Sequence, residues 1–275
     1  MIVDAHQHFW RYEPAEYGWI GDDCRALRRD FLPADLQPEI RAAGVDGVVA
    51  VQARQTVAET EWLLELARQH AFIRGVVGWL PLSSPTLRAD LERATADPKL
   101  KGLRHVIQDE PDDGYILGSD FNRGVRALRE FGLVYDLLIL ARQLPATIAF
   151  VDRHPGQIFV LNHIAKPLIK ADQFEPWNTN VRELARRPNV FCKVSGLVTE
   201  GEFQSWTADQ LRRYYDVVLE AFGPRRLMFG SDWPVCTVAC DYGRWYRTVA
   251  GWTETLAPAE RVSIRGGTAQ EVYRL

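Results

Sequence analysis

Two histidines separated by one residue, His6 and His8, stand near the start of the chain. An aspartate, Asp232, closes a short apolar run near its end, and a third histidine, His163, closes another. On an extended strand residues i and i+2 project to the same side, so a His-x-His pair offers two imidazoles to one point. Three nitrogen and oxygen donors plus a water suit a catalytic zinc ion. Without a metal, the same groups suit general-base and oxyanion chemistry. Burying this much polar surface costs several kcal/mol unless it is paired or used, so the set reads as functional.

Other polar residues fall at comparable places: Arg104 with His105, Tyr135 with Asp136, and Lys193 with Ser195. Each has a plainer alternative. Arg104 reads equally well as half of an interior ion pair, whereas Lys193, inside an apolar run, reads more readily as functional. The acidic stretch Asp109, Glu110, Asp112 and Asp113 reads as a solvated rim. His70 and His154, at helix ends, read as structural or exposed. Trp10, Trp19, Trp79 and Trp233 read first as core or wall, although sugar rings also stack on such side chains.

The elements that must position these residues recur along the whole chain. Short β-rich runs span Ile2–His8, Gly47–Gln52, Gly75–Leu80, Gly102–Ile107, Leu133–Ile139, Ile158–His163, Val190–Ser195 and Leu227–Asp232. Most are continuously apolar, as expected of parallel strands covered on both faces. Between them, helical periodicity marks Glu59–His70, Pro85–Ala96, Phe121–Phe131, Leu144–Arg153, Trp177–Arg187, Thr207–Phe222 and Tyr242–Leu256. Gly132 and Gly223 stand just past two of these helices, where a left-handed residue is wanted. Eight strand–helix units imply right-handed crossovers and a parallel sheet. The expectation is an α/β fold, a single (β/α)8 barrel domain over residues 1–275. Its functional residues then collect at the carboxyl ends of the strands.

Composition excludes more than it names. The chain has 275 residues, 47% hydrophobic and 25% charged, with 33 basic against 36 acidic side chains and a net charge of −3. This is globular, and it gives no electrostatic reason to expect nucleic acid or an anionic membrane. No Gly-x-Gly-x-x-Gly follows the first strand, which removes the main dinucleotide signature. Four scattered cysteines, Cys24, Cys192, Cys236 and Cys240, make no disulfide framework and are expected as free thiols. With no basic, apolar leader and no long apolar run, the chain is expected to be soluble and cytoplasmic, without a membrane partner.

Taken together, the motifs resemble the amidohydrolase superfamily. They comprise Asp4-Ala-His-Gln-His-Phe-Trp10, Val51-Gln-Ala53, Leu161-Asn-His-Ile-Ala-Lys-Pro167, Cys192-Lys-Val-Ser-Gly-Leu197, Arg226-Leu-Met-Phe-Gly-Ser-Asp-Trp-Pro-Val235 and Gly266-Gly-Thr-Ala269. The combination is similar to the sugar-lactonase branch, which contains L-fuconolactone and L-rhamnonolactone hydrolases. Metal-dependent members of the superfamily commonly add a strand-4 lysine or glutamate and a strand-5 histidine. Here those strands offer Arg104-His105 and Tyr135-Asp136, so a binuclear site is not expected. The resemblance implies at most one Zn2+, held by His6, His8 and Asp232 with His163 nearby, and no strict metal requirement.

That resemblance implies water attack on the carbonyl of a small sugar lactone. Asp232 is the expected general base, and His6, His8 and His163 the expected donors to the oxyanion. Arg104, Tyr135, Lys193, Trp10, Gln52 and Trp233 are the expected substrate contacts. Specificity belongs to the loops Phe9–Asp30, Gln108–Ser119 and Val235–Asp241. The pattern names neither the sugar nor the oligomeric state. Two other readings stay open: a zinc-dependent decarboxylase on the same barrel, and a non-catalytic carbohydrate-binding barrel.

Overall fold

A computed structural model describes residues 1–275. Eight strands form one parallel sheet in sequence order: β1 (Val3–Gln7), β2 (Gly47–Val51), β3 (Ile73–Gly78), β4 (Leu100–Val106), β5 (Val134–Leu138), β6 (Phe159–Leu161), β7 (Val190–Val194) and β8 (Leu227–Phe229). Just beyond β8 the sheet returns to its start. Gln7 pairs in parallel with Trp233, His8 N donates to the Trp233 carbonyl (2.7 Å), and Asp232 N donates to the His6 carbonyl (2.8 Å). The result is a (β/α)8 barrel.

The helices are α1 (Pro33–Ala43), α2 (Val57–Gln69), α3 (Leu87–Ala94), α4 (Ser119–Glu130), α5 (Leu144–Asp152), α6 (Trp177–Ala185), α7 (Leu197–Glu200), α8 (Ala208–Phe222), α9 (Tyr242–Trp252), α10 (Pro258–Val262) and α11 (Thr268–Tyr273). The sequence reading did not include α1, which carries Pro38 in its interior but buries Leu36 and Ile40 against the sheet layer. None of the helices is long and apolar enough to cross a membrane.

The barrel interior is layered. An apolar floor gathers Val3, Ala5, Val49, Val51, Val77, Val134, Val160 and Met228, plugged by Val272 and Tyr273 from α11. One step toward the carboxyl ends the same strand faces turn polar, with Asp136, Asn162 and Lys193 all buried. The pairing of β4 with β5 sets Arg104 beside Asp136, and Leu103 and His105 beside Tyr135 and Leu137. Side chains alternate across a strand, so each expected polar pair splits between two faces. Arg104 and Asp136 enter the barrel. His105 and Tyr135 turn out toward the helices, where both rings pack against Phe121.

Candidate active site

The carboxyl end of β1 is irregular, because its register against β2 shifts between Asp4 and Gln7. Asp4, which the sequence reading gave no role, holds this end in place. Its Oδ1 accepts from His6 N (3.0 Å) and Ser231 N (2.8 Å), and its Oδ2 accepts from the Tyr242 hydroxyl (3.2 Å). Burial pushes the Asp4 carboxyl up to about 6. An acid inside an apolar strand was the available signal. Its product is a fixed join between the ends of β1 and β8, the two places that carry His6, His8 and Asp232.

His8 is oriented by its other ring nitrogen. Nδ1 lies 2.7 Å from the Val51 carbonyl, which can only accept, so the proton sits on Nδ1 and Nε2 presents a lone pair. That Nε2 is 3.2 Å from His6 Nε2 and 3.3 Å from Asp232 Oδ1. His6 meets a cation at each ring nitrogen: Lys193 Nζ stands 3.3 Å from Nδ1, and Arg104 Nη1 stands 3.4 Å from Nε2. Burial, with Lys193, His163, His8 and Arg104 adding to it, holds His6 well below the usual histidine range. Burial likewise lowers His8, although Asp232 opposes the shift.

His163 lies beyond β6, not on it. Its φ of 53° removes it from the extended region and swings the ring across the barrel mouth. Nδ1 meets Ser195 Oγ at 2.9 Å, the ring centroid is 4.5 Å from that of His6, and Nε2 is 3.8 Å from Asp232 Oδ1. Burial lowers its pKa to about 3, so the imidazole is neutral. Asp232 lies past the end of β8 with φ 58°. Its own burial pushes the carboxyl up, but His163, His8 and Lys166 beside it outweigh this, and the net shift is downward. Asp232 is therefore an ionised carboxylate among neutral imidazoles at neutral pH.

Beneath them runs a buried polar network. Arg104 Nε and Nη2 donate to Gln52 Oε1 (3.0 and 2.7 Å), Nη2 also donates to the Gln52 carbonyl, and Nη1 donates to Asn162 Oδ1 (3.2 Å). Asp136 accepts from Asn162 Nδ2 (2.9 Å), Lys193 Nζ (2.6 Å) and the Tyr273 hydroxyl (2.7 Å). Burial brings Arg104 down to about 10, with Asp136 and Asp232 opposing, so it stays charged. The network fixes His6 from below and Arg104 from the side.

Above it opens a pocket of about 410 Å3 with His8, Arg104, His163 and Asp232 in its wall. Glu16, Trp19, Arg54, Gln55, Gln108 and Lys166 also line it. A larger groove, about 720 Å3, lies between α2 and α3 and contains no histidine. The smaller pocket is the one at the strand carboxyl ends, where barrel chemistry sits.

Several expected ligand contacts lie elsewhere. Tyr135 is fully buried among Phe121, Phe150 and Phe159, and its hydroxyl has no partner, so it does not reach the pocket. Trp10 is also fully buried; it donates Nε1 to the Arg29 carbonyl (2.9 Å) and packs on Tyr17, Trp19 and Phe31. Trp233 packs edge-on against Phe9 and Phe31, in the wall behind the site. Lys193 and Gln52 are committed to Asp136 and Arg104 in the network below. Of the six expected contacts, Arg104 alone lines the pocket. His154 is buried and bonded to Asn122 (2.9 Å), and His105 pairs with Glu110 (2.7 Å). Arg54 and Lys166 line the pocket although the sequence reading assigned them no role; Lys166 stands in the same short segment as His163.

His6, His8 and Asp232 also form a set able to hold a metal ion, with their ligand atoms within 4.8 Å of one another. The His8 lone pair and the Asp232 oxygen face each other at 3.3 Å, an arrangement that a positive centre between them would stabilise. A metal ion fits there, and His8, anchored through Nδ1 on a carbonyl, has the second contact usual for a metal ligand.

The matches to known proteins agree with this geometry. The chain is 45% identical over 286 residues to an L-fucono-1,5-lactonase from Burkholderia multivorans, covering 100% of this chain and 96% of the relative. It is 38% identical to an L-fucono-1,5-lactonase from Burkholderia ambifaria, covering 99% and 95%. A crystal structure of a Burkholderia multivorans amidohydrolase with bound zinc superposes with a TM-score of 0.95 at 43% identity, covering 100% and 99%. The family model described as Amidohydrolase matches residues 3–275, nearly the full length that builds the barrel and its site, and the chain belongs to that family.

Proposed function

We propose that this protein is a sugar lactonase that opens an aldonolactone, such as L-fucono-1,5-lactone, to the aldonic acid. The observation that carries the reading is an ionised Asp232 in the wall of the pocket at the strand carboxyl ends, beside the neutral imidazoles of His8 and His163. The two curated relatives named for L-fucono-1,5-lactone hydrolysis support the substrate class.

In this mechanism Asp232 orients a water and takes one of its protons as the oxygen adds to the lactone carbonyl. His163, a neutral imidazole in the pocket wall, is the donor to the developing oxyanion, and Arg104 adds fixed positive charge beside it. Collapse of the tetrahedral intermediate breaks the bond to the ring oxygen. The proton held by Asp232 passes to that oxygen, which leaves as a hydroxyl. A zinc ion held by His6, His8 and Asp232 would supply Lewis-acid polarisation of the carbonyl. The steps above are carried by the chain's own groups, and no ion is strictly required.

The test is a panel of aldonolactones followed with a pH indicator, because each turnover releases an acid. L-Fucono-1,5-lactone is expected to open faster than its uncatalysed rate, and activity is expected to survive removal of divalent ions by a chelator. Flat responses across the panel overturn the lactonase reading. Complete loss on chelation that zinc restores overturns the metal-independent mechanism.

A further inference from the structure

Four consecutive residues after β6 occupy the left-handed region: His163, Ile164, Ala165 and Lys166, with φ of 53°, 47°, 63° and 46°. None is glycine, so this backbone is held by its surroundings and not by preference. Ile164 and Ala165 are fully buried, and the Ile164 carbonyl accepts from Trp177 Nε1 at 2.7 Å. The turn brings two side chains to the pocket from opposite ends, His163 and Lys166.

The pocket has three cations, and two are already committed. Arg54 pairs with Glu16 and lies 4.0 Å from Glu59. Arg104 donates to Gln52 and Asn162. The nearest acid to the Lys166 ammonium is Glu200, at 3.9 Å, which is beyond hydrogen-bond length. Hydrolysis converts an uncharged lactone into a carboxylate beside Asp232, which is itself negative. Two like charges in a partly desolvated site are costly unless a cation lies close by.

We propose that Lys166 binds the carboxylate of the ring-opened product and is the residue that lets this pocket accept the negative charge the reaction creates. The proposal rests on the lactonase reading for the identity of the acid, but the site is defined by charge. A cation here is attracted to the acid and not to the neutral lactone, so Lys166 favours the product.

Binding of L-fuconate and of its uncharged isostere L-fuconamide, measured by calorimetry, tests this without turnover. Lys166→Met is expected to weaken L-fuconate by at least about tenfold, the scale of a charge-assisted hydrogen bond, and to leave L-fuconamide within about twofold. Lys166→Arg is expected to keep the preference for the acid. Glu200→Gln, which removes the nearest competing acid, is expected to tighten L-fuconate and serves as the check should Lys166→Met fail to fold. Equal effects of Lys166→Met on both ligands, or none on either, overturn the proposal, as does a Glu200→Gln variant that binds L-fuconate no more tightly. A wild-type protein that prefers L-fuconate through Lys166 but opens no lactone upholds the anion site and overturns the lactonase reading. Turnover without any charge preference does the reverse.

Discussion

Asp232 is held where its charge is useful and its conformation is unusual. Its amide is tied to the His6 carbonyl at 2.8 Å, its φ is 58°, and Oδ1 faces His8 Nε2 at 3.3 Å. Asparagine tolerates the left-handed region about as well as aspartate and has nearly the same shape. Asp232→Asn is therefore expected to fold normally while losing the general base. A drop in kcat of at least about 100-fold on the lactone, with an unchanged melting temperature, is the expected result. Near-full activity in this variant removes Asp232 from the role of base. His6 and His8 show the same economy in a different form. They are identical side chains two residues apart, but one turns its Nδ1 to a carbonyl and the other to an ammonium.

The elements contribute through their ends. The loop after β7 begins with Ser195 and Gly196, which together seat the His163 ring. Gly196 has φ +70°, and a Cβ placed there would lie 2.5 Å from His163 Nδ1. Gly196→Ala thus strains the backbone by roughly 1 kcal/mol or more and pushes the imidazole away from Ser195. Calorimetry and steady-state kinetics should record both a lower melting temperature and a lower kcat. A variant matching the wild type in both would mean that the Gly196–His163 contact is not tight. The β1 end follows the same logic through Asp4, whose carboxylate binds amides from both ends of the closing seam.

Across the whole molecule, burial of titratable groups sets the response to acid. His6, His8, His105, His154 and His163 all titrate below the usual 6.5. As pH falls through 6.5 the unfolded chain takes up protons on these residues that the folded chain refuses, so stability is lost on the acid side. Asp4, raised to about 6, Glu59, raised to about 7, and Glu200, also raised, work the other way. Burial makes the folded state keep those protons longer than the unfolded one, which favours folding as pH falls. Five histidines against three carboxyls leave a net loss. The melting temperature is expected to be highest near neutral pH and to fall by several degrees between pH 6.5 and 5. Scanning calorimetry across that range checks it, and a rise toward pH 5 would contradict the sign.

The order of residues along the chain was enough to reveal eight strand units, most of the helices between them and the His6, His8, His163 and Asp232 set, because continuous apolar runs and chemically costly side chains are local signals. Strand parity was not legible in the same way. Arg104 and His105 are neighbours of similar polarity, as are Tyr135 and Asp136, and nothing local says which of each pair faces inward; only the packing of the closed barrel against its helices does. Nor did the sequence reveal that Lys193 serves Asp136 and His6, or that Lys166 reaches the pocket. Those outcomes depend on left-handed turns after β6 and β8 and on groups distant in the chain. A sequence specifies which residues can do chemistry, but tertiary contacts decide which nitrogen carries the proton and which charge is left free for a ligand.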